Sequence, residues 1–429
     1  MKFNKWTLGL AAVGVVSLAS AARADEKVSS LQTALSNTTI SGYVSTSFNW
    51  AISPGGSEQA QSPAGLVNGA ALIPFQAHKQ DGFNLDVVKV SIAKPEDESP
   101  WASGYEVDLL AGPDANGYNT SFGSIGGAQN NSDFGIKQAF VTLRTPVGNG
   151  IDWKFGVFDT VIGYEVTDAG SNPNYTRSYA YSVEPTEHTG VLASYKINDE
   201  FSVSAGVANT LGAGINSRNT EYPNNNTAQE YWHKTLMGSV TYTAPSSWGW
   251  AAGSSIYAGI VWGFDNVDNG GFQGGYSDGN QANYYFGATV NTPWKQFTTG
   301  VAFDYVQNYN GGYDTATSQS YNNVAVIGLY GTWKQTDKLS FNGRAEYLNG
   351  QQTTEGAGSG GYSSDAFELT GTVEYDLWAN VMTRLELRWD HLGSKNTLNS
   401  VYAPIGGSTE FSVPHTDAVG LYANIIYKF

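Results

Sequence analysis

The stretch VMTRLELRWDH, residues 381–391, alternates without a break. Val381, Thr383, Leu385, Leu387 and Trp389 share one face, and Met382, Arg384, Glu386, Arg388 and Asp390 share the other. A period of two marks a strand with one apolar side. Two neighbours repeat the pattern. LSFNGRAEYL (339–348) sets Leu339, Phe341, Ala345 and Tyr347 against Asn342, Arg344 and Glu346. DAFELTGTVEYDL (365–377) sets Phe367, Leu369 and Val373 against Glu368, Thr370 and Thr372.

Along the rest of the chain, comparable segments fall near 38–50, 83–94, 102–110, 134–144, 151–158, 189–197, 201–209, 234–244, 250–262, 283–292, 296–306, 323–334, 339–348, 365–377, 381–391 and 417–429. The second and fourth alternate poorly, and the faces of FGIKQAFVTLRTP (134–146) are ambiguous. Short connections such as TPVGNG, NDE, TPWK and WAN take turns with long ones, the third running 159–188. Strict alternation of short and long predicts an all-β fold: a transmembrane up-and-down antiparallel barrel of about 16 strands, with short periplasmic turns and long extracellular loops.

Proline and tryptophan agree with this layout. All 14 prolines lie in proposed loops, turns or strand ends, where a missing ladder N–H costs nothing. Trp101, Trp153, Trp248, Trp250, Trp294, Trp333 and Trp378 lie beside short turns, while Trp50, Trp232, Trp262 and Trp389 lie at long-loop ends. Two rims of amphipathic rings are the expected girdles at two membrane interfaces. An arginine facing lipid at the midplane costs ~2–4 kcal/mol, so Arg384 and Arg388 point inward and Leu385, Leu387 and Trp389 outward. A sheet of this size encloses a water-filled channel.

Composition narrows the classes further. Charged residues make up 14% of the chain, against about 25% in ordinary soluble domains. Lys2 and Lys5, an apolar run and Ala22-Arg23-Ala24 read as an export signal over 1–24, and the run of about 15 residues is too short to span a bilayer. The segment 25–37 is a short periplasmic piece with Val28, Leu31 and Leu35 on one helical face, too small for a plug domain. The barrel then occupies 38–429. Beyond the signal, 19 basic residues face 38 acidic ones, which excludes nucleic acid as a partner and favours cations or neutral solutes as cargo. There is no cysteine, hence no disulfide framework and no thiolate metal site.

The stretch GIKQAFVTLRTPVGNGIDWKFGVFDTVIGYEV (135–166), continuing to NPNYTRSYAYSVEPTEHTGVLASY (172–195), resembles the OmpL-like β-barrel porins of Gram-negative bacteria. The resemblance extends over 38–429 and implies an outer-membrane channel for small hydrophilic solutes or ions. It names no solute and transfers no functional residue. The layout is also similar to that of trimeric sixteen-stranded porins, which implies a homotrimer embedded in outer-membrane lipid. In those proteins the loop after the fifth strand folds inward, so 159–188 is the candidate constriction. It carries Glu165, Asp168, Arg177, Glu184 and Glu187. Arg344, Glu346, Arg384, Glu386, Arg388 and Asp390 are the candidate pore wall. An acidic loop facing a basic wall would set a transverse field and a mild cation preference.

The C-terminal LYANIIYKF (421–429) alternates to its last residue. It is expected to pair with TTISGYVSTSFNW (38–50), closing the barrel, with Leu421, Ala423, Ile425 and Tyr427 toward lipid and Asn424 and Lys428 toward water. In the proteins it resembles, a terminal aromatic is read by the outer-membrane assembly machinery, which makes Tyr427 and Phe429 a candidate assembly signal.

Other classes fit less well. The five histidines sit in loops or near them, and Glu187-His188 and Asp390-His391 are adjacent in strands, so each pair points to opposite faces. No nucleophile elbow, zinc helix or phosphate loop is present, so neither catalysis nor a cofactor is expected. A substrate-specific sugar or peptide channel, suggested by Tyr164, Tyr175, Tyr179 and Tyr181, or a barrel used for adhesion, is the alternative reading.

Overall fold

The computed structural model describes residues 38–52, 79–116, 133–212, 214–215, 220–221, 229–230, 233–264, 280–307, 313–315, 318–356, 360–392 and 417–429. The export signal and the segment 25–37 lie outside the described residues.

Sixteen long strands follow one another in chain order: β1 (Thr39–Ala51), β2 (Gly82–Lys94), β3 (Ser103–Ala111), β4 (Phe134–Thr145), β5 (Ile151–Asp159), β6 (Glu187–Lys196), β7 (Phe201–Ala208) and β8 (Thr235–Thr243). The second half comprises β9 (Ser255–Phe264), β10 (Asn280–Asn291), β11 (Phe297–Gln307), β12 (Ser318–Lys334), β13 (Leu339–Gly356), β14 (Gly360–Trp378), β15 (Val381–Leu392) and β16 (Asp417–Lys428). Each pairs antiparallel with its neighbours, and β16 pairs with β1 from Tyr43↔Lys428 to Ala51↔Gly420. Phe429 N–H donates to Gly42 O at 2.9 Å and Gly42 N–H to Phe429 O at 3.0 Å, so the last residue completes the seam. Closure removes free sheet edges.

The expected strands hold to within a few residues, with two informative differences. The ninth begins at Ser255 rather than 250, because Ser246–Ala251 forms a 3₁₀ turn with Gly249 at φ 61°. The thirteenth and fourteenth run well past the expected ends, pairing as far as Thr354↔Gly360, so most of the proposed 349–364 loop continues the ladder.

The outward face is apolar and exposed: Phe83, Leu85, Leu329, Leu385, Leu387 and Ile425 have no protein over them. The inward face holds buried charge, including Arg344, Arg384, Arg388, Glu346 and Glu368. This inside-out pattern is that of a barrel solvated by lipid. Among the described residues no helix is long and apolar enough to cross a membrane, which leaves the spanning to strands. Trp101, Trp248, Trp250, Trp294, Trp333 and Trp378 are exposed at the short-turn end, as a girdle requires.

The two poorly alternating strands each take part in a bulge. The β1–β2 register shifts after Ser45, and Asp86 and Val87 both turn inward. The β3–β4 register shifts after Asp108, and Lys137 and Gln138 are both buried. An extra residue breaks the period of two, and here it delivers a charged side chain to the lumen.

The interior is not simply water-filled. Phe140, Phe158, Leu192, Met237, Val261 and Ala302 form an apolar cluster on the inner side of β4–β11. Where a water-filled channel was expected, this part of the lumen holds packed apolar side chains. The inward positions of β6–β9 carry Leu, Ala, Met and Val that pack against chain entering the barrel.

Candidate functional site

Residues 160–186, between β5 and β6, lie inside the barrel, and none of them is exposed. Thr160 N–H donates to Thr186 O at 3.0 Å, pinning the two ends of the segment together. Within it lie a 3₁₀ turn at Ala169–Ser171 and a single helical turn, α1 (Tyr179–Val183). Ser178 caps that turn by accepting from Tyr181 N–H at 3.0 Å.

The first limb docks through apolar contact. Val161 and Ile162 pack into the Phe140–Met237 cluster. Tyr164 stacks on Tyr330 of β12, ring centroids 4.0 Å apart, and lies over Gly300 of β11 where any Cβ would collide with its phenol.

The middle docks through charge and hydrogen bonds. Arg344 of β13 bonds Glu368 at 2.7 Å, Glu165 at 2.7 Å and Thr176 O at 2.7 Å. Arg388 of β15 bonds Asp390 at 2.7 Å and Arg177 O at 2.6 Å. Arg384 donates to Asn172 O, Asn174 O and Asn424 Oδ1. Carboxylates of the wall take the segment's N–H groups in return. Glu386 accepts from Tyr175 at 2.6 Å and Thr176 at 2.9 Å, and Glu346 from Tyr179 at 2.7 Å and Ala180 at 3.3 Å. Tyr179 Oη donates to Asp390 at 2.7 Å, and Tyr175 Oη to Ser47 at 2.8 Å and Asp86 at 3.0 Å. An irregular chain can be buried only if its backbone groups find such partners.

The candidate residues are therefore brought together, but differently from an acidic loop opposed to a basic wall across a gap. Glu165 touches Arg344 directly. Asp168 pairs with Lys89 of β2 at 2.7 Å. Glu187, at the start of β6, pairs with the bulged Lys137, which also holds Asp159 at 2.7 Å. Arg177 donates to Thr167 O at 2.6 Å and lies over the Tyr181 ring. The arginines are thus spent on docking, not left facing a pathway. Burial pushes the Glu184 carboxyl well above the usual range, with the charges of Asp304, Glu165 and Glu346 adding to the push. Asn424 faces inward as part of this network, bonded to Ser45 and Arg384 rather than to water. Tyr427 is on the lipid face and Phe429 at the seam.

Sequence reading missed Glu368, Asp86, Lys89, Lys137, Asp304 and Asn174. Glu368 and Asp304 occupy polar inward positions that the alternation itself marks. Asp86 and Lys137 were hidden by the bulges.

A closed sixteen-stranded antiparallel barrel with an apolar exterior is the architecture of a bacterial outer-membrane β-barrel. The chain belongs to the family described as "putative beta-barrel porin-2, OmpL-like", whose model matches residues 37–429, and is an outer-membrane porin. No curated protein sequence matches it significantly. Among solved structures it is similar to an anion-selective porin from Comamonas acidovorans (TM-score 0.55, 13% identity, 91% of this chain and 99% of that one). It is also similar to the trimer form of OmpT from Vibrio cholerae (TM-score 0.53, 14% identity, 91% and 99%). A third likeness is the outer-membrane channel DcaP of Acinetobacter baumannii (TM-score 0.50, 12% identity, 91% and 97%). At such identities the likeness is one of fold. Family membership speaks for a channel rather than an enzyme.

Proposed function

We propose that this porin is a passive diffusion channel for small hydrophilic solutes, in which residues 160–186 set the narrowest part of the pathway. One observation carries the reading: the backbone of 172–180 is bonded to inward charges within the spans of β13 and β15. A segment held there shares the lumen with whatever passes. A mild cation preference is part of the proposal. It is supported by the formal net charge of −16 and by the engagement of Arg344, Arg384 and Arg388 in docking, which removes them as free anion partners. The trimer form of the Vibrio OmpT supports assembly of this chain as a homotrimer. We further assign 1–24 as a cleaved signal and Phe429 as a residue read by the assembly machinery.

Purified protein in a planar bilayer tests the channel. Steady conductance, with a reversal potential across a salt gradient that favours the cation, is the expected result. Absence of conductance sinks the proposal, and an anion-selective potential removes its electrostatic part. Deletion of Phe429 is expected to lower the yield of heat-modifiable protein in the outer membrane.

A further inference from the structure

Neighbouring strands of the barrel are consecutive in the chain, and so tied by a turn or loop, at every junction but one. At the β16–β1 seam the partners come from opposite ends of the barrel sequence, and no connection ties them. Closing so long a loop is the costliest pairing in the sheet. The lumen side of this seam carries its own polar network. Asn424 of β16 donates from Nδ2 to Ser45 Oγ and Thr46 O of β1, both at 2.9 Å. Ser45 and Ser47 donate to Asp86 of β2 at 2.9 and 2.7 Å. Asp86 is the residue that the β1–β2 bulge adds, and it is fully buried.

The inner segment crosses this seam. Tyr175 donates its backbone N–H to Glu386 of β15 at 2.6 Å, while its phenol donates to Ser47 and Asp86 at 2.8 and 3.0 Å. Its ring lies beside Tyr422 of β16, centroids 5.7 Å apart. Ala169 N–H donates to Tyr43 Oη of β1 at 3.2 Å, and Lys428 of β16 donates to Gly170 O at 3.4 Å. Asp168 pairs with Lys89 of β2, and the carbonyls of Asn172 and Asn174 accept from Arg384 of β15, which also holds Asn424. Ala169 packs against the cluster of Tyr43, Met382 and Ile426, which come from β1, β15 and β16. Residues 168–175 therefore bond β1 and β2 on one side of the seam and β15 and β16 on the other.

We propose that residues 168–175 are a strap that locks the β16–β1 seam, a second task for the inner segment that does not depend on where the pathway is narrowest. Parting the two strands breaks the bonds of Tyr175 and Ala169 on one side or the other, so strap and seam stabilise each other reciprocally. Tyr179 supplies the contrast. Its phenol also meets a buried carboxylate, but that of Asp390 on β15, on one side of the seam only.

Amide hydrogen exchange of the folded barrel, read by mass spectrometry on peptides covering β1 and β16, tests the strap. Tyr175→Phe removes only the hydroxyl that reaches Ser47 and Asp86. Exchange in β1 and β16 is expected to quicken about tenfold, with β7–β9 unchanged as the internal reference. Tyr179→Phe should leave the seam peptides as they are. The reciprocal arm uses the absence of cysteine from the chain. Thr46→Cys with Ile425→Cys puts two thiols at paired positions on the lipid face, a spacing that a disulfide spans. Oxidation is expected to slow exchange of residues 168–175 about threefold relative to the same variant reduced. Heat-modifiable migration checks that each variant is folded. Seam exchange that stays the same in Tyr175→Phe, quickens equally in the reference strands, or quickens as much in Tyr179→Phe overturns the strap. So does exchange of 168–175 that is indifferent to the seam disulfide. Those results leave the channel standing, whereas a barrel that passes both tests without conducting keeps the strap and removes the channel.

Discussion

The inner segment is held by two unlike surfaces. Residues 160–164 rest on an apolar wall running from β4 to β12, where Val161 and Ile162 meet Phe140, Phe158, Leu192 and Met237 and Tyr164 stacks on Tyr330. Residues 165–180 rest on a polar wall of β13–β16, where three arginines and three carboxylates bond the segment. The apolar side supplies adhesion that tolerates small shifts, because burial is non-directional. The polar side fixes position, because each bond has a donor, an acceptor and an angle. The second kind is found where the segment crosses the lumen.

Arg344→Ala should separate the two most sharply. It leaves Glu165 and Glu368 buried without their partner, a loss of ~3–5 kcal/mol. The midpoint of heat-modifiable migration should drop, and conductance should become larger and noisier as the segment loses its register. Leu192→Ala, on the apolar side, should cost ~2–4 kcal/mol in denaturant unfolding, yet leave single-channel current steady, since no directional bond is lost. If its current became as noisy as that of Arg344→Ala, the distinction between the two surfaces would fail.

Smaller effects refine the polar side. Tyr179→Phe removes one hydrogen bond to Asp390 and should cost ~1.5–3 kcal/mol by the same unfolding assay, without altering the fold. The smallest change is expected far from the segment, at the turn between β2 and β3. Burial and the neighbouring Asp152 push Glu96 up to about 7, well above its unfolded value. The folded chain therefore binds more protons than the unfolded chain from the ordinary carboxylate range up to about pH 7, and this site loses stability as pH rises through that window. Glu96→Gln should flatten that slope in unfolding titrations, by under about 1 kcal/mol. A steeper slope in the variant would contradict the assignment.

Much of this was legible in the residues. The alternation of 381–391 placed Arg384 and Arg388 inward and Leu385 and Leu387 outward, as they are found. The rule behind it is local, since successive side chains of a strand point to opposite faces whatever else the chain does. Where that rule faltered, in β2 and β4, the irregularity was a signal in itself. Both strands lie at bulges that bring Asp86 and Lys137 into the lumen, where they anchor Tyr175 and Glu187. The inner segment was marked as a candidate by its place after the fifth strand, but nothing periodic in 160–186 shows how it lies.

Strand count, the closure of β16 on β1 and the face of each arginine could all be read from the chain, because they follow from nearest-neighbour geometry and from the cost of charge in lipid. Which arginine holds which carbonyl emerges only in the closed barrel. Arg344 and Thr176 are 168 positions apart, and Arg384 and Asn172 are separated by 212. Such pairs meet only once the sheet has closed and the segment has folded back through it, so no local pattern in the chain records them.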